Sequence, residues 1–335
     1  MKYSKIFKNL PRLSCVALGT DYYGKTIPES DARGLMDRYF ELGGNVIDTA
    51  HVYSDYLPGE KHMSEKVIGR WMRDNDMRSR TILSTKGGFP VVGDMHASRI
   101  DRGNIFSDIA GSLECLRTDH IDIYWLHRDN PEVPVSEIAG WMDELGRQGL
   151  FLNWGVSNWK HGRIAEIVDY CEAKGLRGPV CSQLKWSLAI PNPGSAGDDT
   201  LSEMDNAEHD WYLRSGMPVF AYSSQAKGFF WKLKIAADND ESDGSVRNPG
   251  GKAGKRYYNA ENIVRYRLLE DMSRETELSP GQLSIAWMTR PGTIPTVPII
   301  GARNIDQLED SLTGATAEIP DNIAAKYLLF RRDRL

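Results

Sequence analysis

Four side chains carry most of the chemistry that this sequence offers: Asp48 and Tyr53 in NVIDTAHVYS, Lys86 in TILSTKGG and His127 in IDIYWLHRDN. A carboxylate, a phenol, an ammonium and an imidazole gathered at one place make a proton-relay site. Tyrosine, with a pKa near ~10, is a poor acid at neutral pH. An adjacent ammonium favours the phenolate and is expected to lower that pKa, while a carboxylate keeps the ammonium charged and in place. A neighbouring imidazole can orient a substrate oxygen by donating a hydrogen bond to it. Such a set suits proton donation to a carbonyl oxygen as negative charge develops there. It supplies no hydride, so a redox reaction needs a cofactor.

Taken singly, each residue also has an ordinary structural reading. Asp48 can cap a turn, Tyr53 can be a half-buried packing ring, Lys86 a solvated charge and His127 a core histidine. What joins them is position. Asp48 and Lys86 are 38 residues apart and Lys86 and His127 are 41 apart, the length of one strand, one helix and two loops. If the apolar runs that carry or precede them are neighbouring parallel strands, all four side chains emerge at one end of one sheet.

The whole chain follows that rhythm. Eight β-type runs recur, at 14–20, 45–50, 81–86, 121–127, 152–158, 180–184, 218–224 and 296–302, with amphipathic helical patterns between them. Continuous apolar strands alternating with helices predict a parallel sheet covered on both faces. Eight βα units in 335 residues predict an α/β fold, a (β/α)8 barrel of the TIM type forming one domain over 1–335, with its chemistry at the C-terminal ends of the strands. A doubly wound dinucleotide fold would want G-x-G-x-x-G after its first strand, and that strand ends GTDYYG. PGGKAGKR (249–256) imitates a phosphate loop but has proline where the first glycine belongs, and reads as a flexible loop. Long insertions follow strand six (189–206) and strand seven (232–255), the second polar and glycine-rich and expected to be mobile. Residues 320–332 read as an extra C-terminal helix.

Composition narrows the setting. Hydrophobic content of 41% with 26% charged residues is ordinary for a globular protein. A net charge of −5 recommends neither nucleic acid nor an anionic membrane as a partner. The four cysteines have no metal-like spacing and read as reduced thiols, and no metal is expected. No apolar run approaches 18 residues and MKYSKIFKNLPRLS lacks the apolar core of a signal peptide, so the expected location is cytoplasmic.

The segments LGT (18–20), GGNVIDTAHVYS (43–54), MSEKVIG (63–69), STKGG (84–88), YWLHRDNP (124–131), GVSNW (155–159), CSQLKWS (181–187), FAYSSQAKG (220–228) and PIIGARNIDQLEDSL (298–312) resemble the aldo-keto reductase superfamily, in family order over about 300 residues. The resemblance implies a barrel that binds an extended nicotinamide dinucleotide without a doubly wound fold. It implies Tyr53 as general acid, Lys86 and Asp48 tuning it, and His127 orienting the carbonyl. For the cofactor it implies Ser157, Asn158 and Gln183 on the nicotinamide carboxamide, Tyr222 stacked on the ring, and Gly19, Thr20 and Asp48 beside it. Ser223, Gln225 and Gly228 would line the pyrophosphate, Arg303 would meet the adenosine 2'-phosphate, Gln307 and Asp310 would lie near the adenine, and Gly301 would also bind the cofactor. A guanidinium at 303 favours NADPH/NADP+, with NADH possible. The substrate is then a small-molecule aldehyde or ketone, or the corresponding alcohol, and its sugar-like or aryl character stays open.

Three departures fall near the substrate. Ser54 stands where many relatives have glycine, the loop 54–63 is long, and Trp186 replaces a tyrosine. Candidate pocket aromatics are Tyr22, Tyr23, Trp125, Trp159, Trp186, Phe229 and Phe230. Two other functions remain compatible: a nicotinamide-binding regulatory subunit with slow turnover, and a dehydrogenase acting on a sugar or glycoside hydroxyl.

Overall fold

The structure is a computed structural model that describes residues 1–195, 197–235, 246–290 and 294–330. Eight parallel strands close into a barrel: β1 (Ala17–Gly19), β2 (Val46–Asp48), β3 (Ile82–Gly87), β4 (Ile121–Leu126), β5 (Phe151–Ser157), β6 (Ser182–Lys185), β7 (Val219–Tyr222) and β8 (Thr296–Ile300), with β8 pairing back onto β1. Each expected apolar run overlaps one of these strands, so the (β/α)8 architecture is as the sequence indicates. Helices α1 (Glu29–Glu41), α2 (Met63–Asp74), α3 (Arg102–Leu116), α4 (Val135–Arg147), α5 (His161–Lys174) and α6 (Asn206–Ser215) follow the first six strands in turn.

Pleating sorts the strand residues into two cores. Ala17, Val46, Ile82, Ile123, Trp125, Cys181, Phe220, Val297 and Ile299 point inward, and Phe7, Leu10 and Leu13 join them. The Phe7 ring stacks on Phe220 with centroids 6.4 Å apart, so the N-terminal hairpin of Tyr3–Ser4 and Leu13–Ser14 fills the bottom of the barrel. The alternate residues, among them Leu18, Ile47, Leu83, Tyr124, Val156, Leu184 and Ala221, pack outward against the helices. Because successive strand residues alternate sides, the same pleat that buries Val46 and Ile82 turns Asp48, Ser84 and Lys86 into the upper barrel.

Gly155 shows how tightly that interior is filled. A Cβ there would lie 2.5 Å from the Trp125 indole and 2.6 Å from the Cys181 carbonyl. The missing side chain of β5 makes the space for the indole of β4.

The described parts of the second insertion carry secondary structure. In 232–255, Lys234–Ile235 pairs antiparallel with Val246–Arg247, and α8 (Gly251–Tyr257) folds where a flexible loop was expected. Ala253 and Tyr257 are buried, Tyr257 lying 5.9 Å from the Phe229 ring of α7 (Phe229–Lys232). This apolar anchoring overrides two glycines whose helix propensity is poor; residues 236–245 lie outside the described residues. Three further helices complete the ring: α9 (Ala260–Thr276), α10 (Pro280–Thr289) and α11 (Ile305–Thr316). α10 opens with a capping box of Ser279 and Gln282. The C-terminal segment is shorter than a full helix. One α-turn, α12 (Asp321–Ala324), runs into a 3-10 stretch to Phe330, and residues 331–332 lie outside the described residues.

No helix among the described residues is long and apolar enough to cross a membrane.

Candidate active site

The strand ends bring Asp48, Tyr53, Lys86 and His127 together. Lys86 leaves β3 with its side chain wholly buried and spends its three N–H donors locally. They go to Asp48 Oδ2 at 2.6 Å, to the Thr49 carbonyl at 2.6 Å and to the Tyr53 hydroxyl at 3.1 Å. The other Asp48 oxygen accepts from Ser84 Oγ at 2.8 Å and Gln183 Nε2 at 3.1 Å. Ser84 in turn accepts from the Trp125 indole at 2.6 Å. A buried ion pair repays its desolvation only when its remaining donors and acceptors are satisfied, and here they are.

Tyr53 sits in the loop after β2 with its ring 6.0 Å from the His127 ring and 4.6 Å from the Lys86 ammonium. Its hydroxyl accepts from Lys86, which leaves its own proton free to be donated elsewhere. Contrary to the expected lowering, the protein holds the phenol well above its ordinary range, through burial first and then the Asp48 and Asp21 carboxylates. Burial also lowers the Lys86 pKa, against the opposing pull of Asp48. Burial thus favours the neutral phenol at Tyr53, with the Lys86 ammonium 3.1 Å from its oxygen.

His127 follows β4 and is also kept neutral. Burial, then Arg128 and Lys86, push its pKa well down. Its Nδ1 is buried with no hydrogen-bond partner among the described residues, and Phe89 packs edge-on at 4.8 Å. A neutral imidazole in this setting is a hydrogen-bond donor or acceptor for a substrate oxygen.

The residues expected to hold a nicotinamide cofactor arc around the same mouth. Gly19 and Asp48 are register partners on β1 and β2, as are Ser157 and Gln183 on β5 and β6. Thr20 donates to the Asp48 carbonyl at 3.0 Å. Tyr222 ends β7, and its hydroxyl donates to Asn158 Oδ1 at 2.7 Å. Asn158 is otherwise committed to the scaffold, its amide donating to the His127 carbonyl at 3.3 Å and its Oδ1 accepting from Ser202 N at 3.2 Å. Beyond β7 the loop through Ser223, Ala226, Lys227 and Gly228 has positive φ at each of these residues. Gln225 ties it to α11 and to the end of β8, donating to Ser311 Oγ at 2.8 Å and accepting from Gly301 N at 2.8 Å. Arg303 is exposed just ahead of α11, and Gln307 Oε1 accepts from its backbone N–H at 3.0 Å. Asp310 does not reach this groove as a free group: one oxygen accepts from Gln282 Nε2 at 2.7 Å and the other from the Trp231 indole.

The proposed aromatic pocket is where the structure departs most from expectation. Tyr23, Trp125 and Trp159 are core side chains with 1%, 0% and 0% exposure. Trp125 fills the barrel above Gly155, and Trp159 Nε1 donates to the Arg128 carbonyl at 3.0 Å. Trp186 is half-buried, edge-on to Trp287 at 5.7 Å, and Phe229 and Phe230 are buried. Only Tyr22 remains at the surface, with 36% exposure. Two neighbours of the quartet were not singled out in advance: Phe89, which packs on the His127 ring, and Arg128, whose Nη1 donates to the His127 carbonyl at 2.9 Å. Ser84 was legible, lying two residues before Lys86 on the same strand face. Arg128 was legible only as the neighbour of His127.

Ser54 is buried at φ 72°, in the left-handed region. That is the conformation glycine adopts freely and other residues avoid. Its hydroxyl reaches the Asp21 carbonyl at 3.0 Å and the Tyr23 carbonyl at 3.1 Å, which offsets the strain. The turn behind Tyr53 is thereby pinned to the end of β1.

The C-terminal mouth of a closed (β/α)8 barrel thus gathers Asp48, Tyr53, Lys86 and His127. The Aldo/keto reductase family profile matches residues 16–326, and the chain belongs to that family. It is also 26% identical over 332 residues, 96% of this chain and 94% of the relative, to "Uncharacterized oxidoreductase YrpG" of Bacillus subtilis (strain 168).

Proposed function

We propose that the protein, acting as one barrel domain over 1–335 in the cytoplasm, is an NADP(H)-dependent enzyme that reversibly reduces an aldehyde or ketone to an alcohol, with Tyr53 giving the proton. The observation that carries this is the Lys86 ammonium, bound at once to Asp48 and to the Tyr53 hydroxyl. That geometry has one evident use, which is to stabilise a phenolate as it forms.

The groove fits the cofactor chemically. Ser157 and Gln183 offer amide and hydroxyl partners at one register, Tyr222 offers a ring face, and the α11 N-terminus with Arg303 offers a place for phosphate. When bound, the nicotinamide supplies the hydride. The chain's own residues do the rest. His127 orients the carbonyl oxygen, Tyr53 protonates it, and Lys86 with Asp48 absorbs the charge left on the phenol. In the alcohol-to-carbonyl direction the same groups run in reverse.

The test is titration with NADPH by its fluorescence, followed by a panel of carbonyls and sugars with NADPH consumption as readout. Tight binding without turnover on any carbonyl or alcohol would overturn the enzymatic reading in favour of a regulatory subunit. Cofactor choice has its own check: Arg303→Ala should narrow the NADPH/NADH affinity ratio by about tenfold, the scale of one lost charge-assisted contact. An unchanged ratio would remove Arg303 from the 2'-phosphate.

A further inference from the structure

Inside the barrel, behind the quartet, lie two polar side chains that the reaction above leaves unused, Ser84 and Trp125. Ser84 is the register partner of Asp48 across β2 and β3, and Trp125 is the register partner of Lys86 across β3 and β4. Ser84 and Trp125 are fully buried, and Asp48 and Lys86 are 1% exposed. Trp125 Nε1 lies 2.6 Å from Ser84 Oγ, and Ser84 Oγ lies 2.8 Å from Asp48 Oδ1. Packing fixes the indole: Gly155 leaves room for it, and the Phe220 ring lies edge-on at 5.1 Å.

These donors and acceptors allow one polarity only. An indole N–H donates and cannot accept, so Ser84 Oγ must accept from Trp125. The single hydroxyl proton of Ser84 is then left for the Asp48 carboxylate, which can only accept. Lys86 donates to the other Asp48 oxygen and to the Tyr53 hydroxyl. The terminal torsion of a carboxylate is soft, yet only some of its rotations present Oδ2 to Lys86. Gln183 also donates to Oδ1, but at 3.1 Å and from β6, on the opposite side of the barrel from β2.

Resting on the carbonyl-reductase reading above, we infer that Ser84 and Trp125 are positioning residues for proton transfer: the indole aims the Ser84 hydroxyl, and the hydroxyl holds Asp48 in the rotation from which Lys86 reaches Tyr53. Both act through Asp48, and neither touches substrate. Without the serine, Oδ1 is left to Gln183 alone and swings toward β6. Lys86 follows the carboxylate, because that bond joins two charges at 2.6 Å and the bond to the phenol is neutral on one side at 3.1 Å. The phenolate then forms without its ammonium.

Steady-state kinetics with NADPH and a carbonyl reads the effect. Ser84→Ala should lower kcat by about tenfold or more, the scale of a hydrogen bond to a charged group, and leave KM unchanged, as for an interaction that matters only in the transition state. Trp125→Phe keeps a ring in place and removes the N–H, so it should lower kcat less. Placed on top of Ser84→Ala it should lower kcat no further, because the indole acts only through the serine. The double variant also guards against misfolding, since removing both partners of a buried hydrogen bond is nearly neutral. A wild-type kcat in Ser84→Ala, a loss confined to KM, or losses that multiply in the double variant would overturn the assignment. If the wild-type protein reduces no carbonyl, the reductase reading fails, and a crystal structure of Ser84→Ala judges the positioning by itself. Asp48 should then be turned toward Gln183, with Lys86 Nζ beyond about 3.6 Å from the Tyr53 hydroxyl, too far for a hydrogen bond. An Asp48 carboxylate and a Lys86–Tyr53 contact placed as in wild type would sink it.

Discussion

Lys86 and Arg128 are two buried cations at the same barrel mouth, and they are held in opposite ways. Lys86 is fixed by neighbouring strands and their ends: Asp48 of β2, the Thr49 carbonyl one residue beyond, and Tyr53 in the following loop. Arg128 is fixed chiefly by an insertion some 70 residues downstream, through Asp198 and Thr200. The first arrangement is set by strand register, since a one-residue slip would turn Lys86 outward. The second depends on a loop that can change without disturbing the barrel. The Lys86–Asp48 pair is therefore placed by the sheet, while the position of Arg128 depends on a loop.

The largest effect should come from breaking the strand-held pair. Lys86→Met leaves the Asp48 carboxylate buried with no cation, although Ser84 and Gln183 still bond it. Loss of one partner from a buried pair costs about 3–5 kcal/mol, and chemical denaturation should show it. A variant as stable as wild type would mean that the pair is not the keystone of the mouth.

The next effect is on rate alone. Tyr53→Phe removes the acid but leaves Lys86 with Asp48 and the Thr49 carbonyl, so fold and NADPH affinity should persist. Turnover of a carbonyl substrate should fall by about 10²-fold or more, the low end for a lost general acid. A rate near wild type would move the proton to another donor, and the neighbouring imidazole of His127 would be the first to examine.

The contrast between sheet and loops also explains what could be read in advance. All eight strands were legible because strands covered on both faces are almost continuously apolar, and the quartet followed from their ends. Ser84 needed only the two-residue period. Trp125 read as a pocket residue because its place depends on Gly155, thirty residues on, which has no signature of its own. Residues 249–256 read as a loop, yet Ala253 and the following Tyr257 are drawn into the core and 251–257 becomes α8. The Arg128–Asp198 contact joins two loop residues that share no periodicity, so nothing in the chain announces it.

The smallest effect tests the seam where sheet and loop meet. Ser54 carries Tyr53's turn in a left-handed conformation at φ 72° and bonds two carbonyls at the end of β1. Two terms of similar size oppose each other there. Glycine would relieve a strain of about 1–2 kcal/mol and would lose a hydrogen bond worth about 0.5–1.5 kcal/mol. Ser54→Gly should therefore leave stability within about 1 kcal/mol of wild type by those same estimates. Ser54→Ala keeps the strain and loses the bond, so it should be the less stable variant by about 1 kcal/mol or more. If alanine proves as stable as glycine, φ at 54 is not strained, and the turn behind Tyr53 is held by its neighbours instead of by this hydroxyl. If both variants fall well below wild type, the bond outweighs the strain. The serine is then what fastens a loop-borne acid to the strand-borne ammonium beneath it.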